Sequence, residues 1–201
     1  NSASNLTRQL LTFSRKQVSE PREVNLNSLI QNLEKMLTRI LGEDVDLNIF
    51  LGKSPGICFV GPGQVEQVLV NLAANARDAM PDGGSLVIET SRIFADFTSR
   101  PFGLTLPAGS YLKITVRDTG CGMTEEVREH LFEPFYTTKP PEKGTGLGLA
   151  TVYGIVKQSG GHVAVETAPG KGTAFHLFLP VTDGGLNNST PGASAVAHGS
   201  G

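Results

Sequence analysis

Little in this chain points to a secreted scaffold, a membrane span or a nucleic-acid surface. Only two cysteines occur in 201 residues, Cys58 and Cys121. They sit in separate apolar and glycine-rich settings without the spacing of a metal pair, so reduced cytosolic thiols are the simplest reading. Charge of one sign is also missing. Seventeen Lys and Arg stand against nineteen Asp and Glu, a net charge of −2 that gives no electrostatic ground for nucleic acid or an anionic membrane as partner. No apolar run approaches the ~20 residues of a membrane helix, and no signal-peptide pattern opens the sequence. No internal repeat is found. What remains is a chain with 39% hydrophobic residues, enough for one main domain with a small appendage.

Apolar periodicity sets out the elements. Leu6, Leu10 and Phe13 share one face of a short helix over 5–17, ended by Pro21. A second helix is expected from about Asn25 to Leu41, with Leu26, Leu29, Ile30, Leu33, Met36, Leu37, Ile40 and Leu41 at helical spacing and Gly42 as its stop. Runs 45–51 and 56–60 read as strands. From Pro62 to Met80, Val65, Val68, Leu69, Leu72, Ala73, Ala76 and Ala79 form a stripe, with Gln64, Gln67, Asn71, Asn75 and Asp78 opposite. Strands 85–94 and 110–118 look like an antiparallel pair joined by an excursion containing Pro and Gly. A helix near 147–159 and strands at 161–167 and 173–180 follow, the last two joined through Pro169-Gly170. Residues 183–201 hold no aromatic and read as a linker or tail.

Three segments carry chemistry. Asn71 and Asn75 lie one helical turn apart, so two neutral side-chain oxygens can meet a hard cation that already carries phosphates; a plain polar helix face would read the same way. Asp118 ends a strand before Thr-Gly-Cys-Gly. Its carboxylate, which only accepts hydrogen bonds, matches the amino group of adenine and mismatches the carbonyl of guanine, though an ordinary Asp-Thr-Gly turn is the competing reading. Gly144-Thr-Gly-Leu-Gly-Leu149 opens an apolar helix whose first amides can face phosphates. It is not a Walker loop, because no Gly-Lys-Ser/Thr follows, and it comes too late for a dinucleotide βαβ unit. Between the clusters, Phe132 and Phe135 are expected to anchor a lid by packing, and Lys139 to meet a phosphate. Together these segments point to an ATP-Mg²⁺ site.

The order of these motifs resembles the catalytic ATP-binding domain of two-component sensor histidine kinases. The likeness covers about residues 25 to 180: an asparagine box (Asn71 to Ala79), a first glycine box (Asp118 to Gly122), a phenylalanine box (Phe132 to Phe135), a second glycine box (Gly144 to Leu149) and a terminal Gly172-Thr-Ala-Phe175. It implies a Bergerat-type α/β two-layer sandwich, with a mixed, largely antiparallel sheet packed against helices. It further implies Asn75 as the Mg²⁺ ligand, Asn71 as a second metal or phosphate contact, Asp118 as the adenine reader and Thr173 as its support through water. Lys139 would touch the terminal phosphate. Gly120, Gly122, Gly144, Thr145, Gly146, Leu147, Gly148 and Leu149 complete the expected nucleotide-contacting set, with Asp78 beside Asn75. Asn71 and Lys139 are the residues expected to act on the chemistry.

One position favours a kinase over a hydrolase. Gyrase-type relatives place a general-base Glu four residues before the Mg²⁺ asparagine, and this chain has Asn71 there. Glu66 points roughly 140° away on the helix and cannot substitute. Two departures stand out. Asp78-Ala79 replaces the basic and aromatic residues that many relatives carry, and none of His130, His162, His176 and His198 sits on a dimerisation helix. The expected organisation is therefore residues 1–20 as the end of a dimerisation and phosphoacceptor hairpin, 21–182 as the catalytic ATP-binding domain and 183–201 as a flexible linker or tail. The expected partners are the missing hairpin, a response regulator or receiver domain, and a second copy in the full-length protein, with this fragment a monomer and no nucleic acid bound. The expected location is cytoplasmic, including the cytoplasmic part of a membrane-anchored sensor. A nucleotide-sensing docking module and a gyrase-type ATPase are the competing functions.

Overall fold

The computed structural model describes residues 20–140 and 144–182. The helix expected over 5–17 and the tail 183–201 lie outside the described residues. In chain order the elements are β1 (Arg22–Val24), α1 (Leu26–Leu41), β2 (Val45–Phe50), β3 (Cys58–Val60), α2 (Pro62–Ala79), β4 (Gly84–Ala95), β5 (Gly109–Asp118), α3 (Glu125–Glu129), α4 (Gly148–Gln158), β6 (His162–Thr167) and β7 (Thr173–Pro180). Sequence reading did not separate out β1 and α3, which are too short to show a period.

Local chemistry explains where the helices start and stop. Asn25 caps α1 by accepting the Ser28 amide through its side chain at 3.2 Å, and Gly42 closes it at φ +84°. Pro62 occupies the first turn of α2, where its missing N–H costs nothing. The apolar stripes of α1 and α2 are buried as the 3.6-residue period requires, from Leu26 to Leu41 and from Val65 to Ala76. Helix α2 packs against both α1 and α4, and its polar side meets the start of α4 through Asn71.

The main sheet runs β2-β4-β5-β7-β6, with β2 parallel to β4 and every other pairing antiparallel. It is the mixed, largely antiparallel sheet under helices that the motifs imply. Strands β1 and β3 form a separate ribbon. Alternation along β5 sends Leu112, Ile114 and Val116 to the helices and brings Asp118 to the same face at the last rung, where it pairs with Leu86 on one side and Thr173 on the other. A carboxylate is thereby delivered to the end of the central strand beneath α2.

The excursion between β4 and β5 folds back over the opposite face of the sheet. Leu104 and Leu106 join Ala95, Tyr111, Ala164 and Phe178 in a second small core. A 3-10 turn at Pro101–Gly103 brings the Phe102 ring against His176, with centroids 3.9 Å apart. His176 is 2% exposed, its Nδ1 meeting Thr115 Oγ1 at 3.0 Å and its Nε2 meeting Glu166 at 2.9 Å. Burial pushes its pKa down, outweighing the pull of Glu166, with Lys113 and Arg117 adding to the fall. The native state therefore favours the neutral ring, while the unfolded chain titrates near 6.5. As pH drops below that value the unfolded state binds the proton more readily, so stability should decline as pH falls below about 6.5. Urea midpoints of the parent and His176→Gln should diverge at pH 7.5 and converge as the pH is lowered through that value; parallel curves would remove His176 from the account.

Candidate nucleotide site

The start of α4 and the segment bearing Lys139 converge on the polar side of α2, and the 119–123 loop packs against its C-terminal end. Asn71, through Nδ2, donates to the Gly148 carbonyl at 3.2 Å and so ties the first turn of α4 to α2. One turn further, Asn75 faces the same region: a Cβ added at Gly148 would lie 3.8 Å from Asn75 Nδ2. No side chain caps α4, and its first helical hydrogen bond is Thr151 N–H to the Leu147 carbonyl at 2.9 Å. The amides of Gly148, Leu149 and Ala150 thus have no acceptor within the helix and point toward its open start.

Asp118 is 6% exposed. Its Oδ1 accepts the amides of Gly120 at 2.8 Å and Thr173 at 3.2 Å, which fixes the carboxylate plane, and no described residue donates to Oδ2. Burial pushes the carboxyl pKa up, and the two amide bonds only partly offset this. The outcome is one oxygen pinned by backbone and one available to an N–H donor. Around it, Thr167 Oγ1 contacts Thr173 Oγ1 at 3.1 Å, donates to the Gly172 carbonyl at 3.0 Å and accepts from the Met123 amide at 2.9 Å. Thr167 escaped sequence reading, although the hairpin register, which sets it opposite Thr173, could have flagged it.

The first glycine box does something the sequence does not show. A Cβ on Gly120 would lie 2.7 Å from the Ala79 carbonyl oxygen, and one on Gly122, at φ +66°, would lie 2.0 Å from that of Ala168. The close approach these glycines permit is to the protein's own backbone, and it packs the 119–123 loop between the end of α2 and the β6–β7 turn. Cys121 lies between them and is exposed, while Cys58 is fully buried, its thiol pushed up to about 12 by burial.

The second glycine box is held against the phenylalanine segment. The Phe135 amide donates to the Gly146 carbonyl at 2.9 Å, and a Cβ on Gly146 (φ +65°) would strike Phe135 at 2.3 Å. Thr145 Oγ1 accepts from the Leu147 amide at 3.4 Å, and Gly144 abuts Thr137 and Lys139. Phe132 packs on the core and on Tyr153, with centroids 4.9 Å apart. Phe135 does not pack as expected: at φ +69° its ring turns outward and is 73% exposed. Leu149 packs against the core, whereas Leu147 is exposed.

Lys139 closes the constellation. Through Nζ it donates to Asp78 Oδ2 at 2.6 Å and to Asn75 Oδ1 at 3.2 Å. Burial alone would raise the Asp78 carboxyl, but hydrogen bonds and charge from Lys139 and Arg77 prevail and hold it below the usual carboxylate range. Two oxygens on α2 thus converge on one cation.

The family described as histidine kinase-, DNA gyrase B-, and HSP90-like ATPase matches residues 61–183. Sensor kinase CckA of Brucella abortus is 46% identical over 180 residues, covering 90% of this chain and 19% of that protein. Sporulation kinase E of Bacillus subtilis is 36% identical over 161 residues, covering 74% of this chain and 20% of its own length. The chain therefore spans only about a fifth of these relatives. The solved catalytic domain of the histidine kinase ThkA, in a nucleotide-free form, superimposes with a TM-score of 0.60 at 26% identity, over 80% of this chain and 95% of that one.

Proposed function

Because this chain belongs to the histidine kinase-, DNA gyrase B-, and HSP90-like ATPases and carries the ATP-binding domain of sensor histidine kinases, we propose that it holds ATP-Mg²⁺ between α2 and α4. In the longer protein it would pass the γ-phosphoryl group to a histidine on a dimerisation hairpin, for relay to a response regulator or receiver domain. The observation that carries this reading is Asp118, a buried carboxylate with one oxygen committed to backbone and the other offered to a donor. Adenine presents such a donor in its amino group.

The other roles follow from position. The free amides of Gly148, Leu149 and Ala150 suit phosphate oxygens, with Gly144, Thr145 and Gly146 shaping the approach. Asn75 fits a magnesium ion, because its Oδ1 and the neighbouring Asp78 Oδ2 already face a cation, the Lys139 ammonium. Bound there with the phosphates, Mg²⁺ would neutralise charge on the transferring group. Asn71 keeps α4 and α2 in register and supplies no base for water, which favours a phosphoryl acceptor over hydrolysis. Thr173, through its amide and its contact to Thr167, steadies Asp118. Positioning and charge neutralisation supply most of the catalysis in such transfers.

Of the candidate acceptors, His162 and His176 lie in β6 and β7, and His130 pairs with Glu133 at 2.7 Å within this domain. The acceptor would be supplied by a hairpin to which residues 1–20 belong, with 21–182 as the catalytic unit and 183–201 as a linker. The working protein would be a homodimer, and the fragment alone a monomer. No helix among the described residues is long and apolar enough to cross a membrane.

Three experiments test this. Calorimetric titration should show ATP binding that responds to Mg²⁺ in the parent and becomes insensitive to Mg²⁺ in Asn75→Ala, and the parent should label a separately supplied histidine hairpin with phosphate. A parent that binds no ATP would sink the reading. ATP should also slow alkylation of Cys121, which lies in the loop beside Asp118; equal rates with and without nucleotide would place adenine elsewhere.

A further inference from the structure

Asn75 and Asp78 are three residues apart on α2 and project to the same side. Their oxygens Oδ1 and Oδ2 share the Lys139 ammonium, at 3.2 and 2.6 Å, from a residue more than sixty positions away in the chain. The second oxygen of Asp78 is committed elsewhere: Oδ1 accepts from Arg77 Nη2 at 2.6 Å and Nε at 3.1 Å, and Arg77 reaches the Ile40 carbonyl of α1 at 3.4 Å. The carboxylate is therefore split, one oxygen anchored to the helical layer and the other aimed at whatever cation stands before Asn75.

We infer that Asn75 and Asp78 form a two-residue cation seat, with Asp78 its anionic member, and that the Lys139 ammonium and the nucleotide's Mg²⁺ are alternative occupants of it. This rests on the reading above of Asn75 as the metal ligand. Two cations cannot share a seat a few ångströms across, because their repulsion grows as the site loses water. An arriving Mg²⁺ displaces Lys139. With ATP the displaced ammonium has a terminal phosphate to meet, and the lost ion pair is replaced by a new one. With ADP it has none, and the displacement is uncompensated. Lys139 thus makes the site prefer ATP over ADP by penalising the diphosphate as well as by greeting the triphosphate. Asp78 is required for this, because its Oδ2 is the anionic oxygen that holds the Lys139 ammonium. A basic side chain there could not hold an ammonium.

The test is titration of the 201-residue chain and its variants with Mg²⁺-ATP and Mg²⁺-ADP, and with the same nucleotides in excess chelator. Lys139→Met vacates the seat. It should bind Mg²⁺-ADP about threefold or more tighter than the parent, the size expected when a partly exposed ion pair no longer competes. Mg²⁺-ATP should bind more weakly, so the two affinities move in opposite directions. Lys139→Gln, which is closer in length, should behave alike. Asp78→Asn should shrink the gain in affinity that Mg²⁺ gives to either nucleotide, read as the ratio of affinities with and without chelator for the same variant. If the lysine variants weaken ADP or leave it unchanged while the parent still binds ATP, the seat is overturned and the nucleotide reading stands. If Asp78→Asn keeps the full Mg²⁺ gain, Asp78 is no part of the seat. A parent that binds neither nucleotide overturns both readings together.

Discussion

Asp118→Asn is expected to weaken ATP and ADP alike by about 1.5–3 kcal/mol, roughly ten- to a hundredfold, while the fold survives. Survival follows from geometry. An asparagine placed with its carbonyl oxygen at the Oδ1 position still accepts the Gly120 and Thr173 amides, so the 118–122 turn keeps both its hydrogen bonds. The NH₂ group then falls where Oδ2 was, and adenine's amino group meets a donor in place of an acceptor. The loss should be the same for both nucleotides, because the phosphates are not involved, and GTP should lose less than ATP, since guanine offers a carbonyl to the new NH₂. The raised carboxyl adds a pH signature. The ionised form accepts and the protonated form competes as a donor, so parent affinity should fall as pH drops through the elevated Asp118 pKa. The asparagine variant should be flat across that range. Calorimetry at several pH values measures both effects, and an unchanged ATP affinity in the variant would remove Asp118 from adenine recognition.

Gly172→Ala should cost about 2–4 kcal/mol of stability, from left-handed backbone strain plus an unrelieved contact. Gly172 sits at φ +72°, and a Cβ there would lie 2.1 Å from the Asp118 carbonyl oxygen and 3.1 Å from Thr119 Cα. Those neighbours are backbone and cannot rotate away. Gly170 supplies the control inside the same turn: its φ is +71°, but a Cβ would meet nothing within 4 Å. Gly170→Ala should therefore cost only the strain, about 1–2 kcal/mol. Urea midpoints of the two variants separate the terms. Because the Gly172 clash falls on Asp118, that variant should also lose nucleotide affinity at concentrations of denaturant where it is still folded, and the Gly170 variant should not. Equal costs would mean that close approach of the 172 backbone to β5 contributes nothing.

Helix positions were readable because burial of one face imposes a 3.6-residue period that any chain of 16 or 18 residues displays, as α1 and α2 do. The β6–β7 hairpin was readable from Pro169-Gly170 and two apolar runs. Of the elements of three to five residues, β3 was read within the run 56–60, whereas β1 and α3 carry no period and were not separated out. The packing of 96–108 was also hidden, since Phe97, Phe102, Leu104 and Leu106 show no period, and nothing local tells that Phe97 faces solvent while Phe102 lies on His176 and Leu104 and Leu106 join the core around Phe178. Phe135 reads as a core ring by composition, yet its positive φ and the tie to Gly146 turn it outward.

By itself the sequence determined the main helices and strands, the order of the motifs and the chemical types available at the site, because period, turn residues and donor inventory are local properties; the two-layer sandwich followed only from the resemblance of that motif order to a known family. Only the tertiary structure decided that β2 joins β4 in parallel, that Asp118 keeps one oxygen free, that Asn71 spends its amide on Gly148, and that Lys139 stands before Asn75 and Asp78. Each of these joins residues distant in the chain or divides the hydrogen-bonding capacity of one group among several partners. Such choices depend on which elements the common core brings within about 3 Å of one another, and no short window of sequence contains that distance.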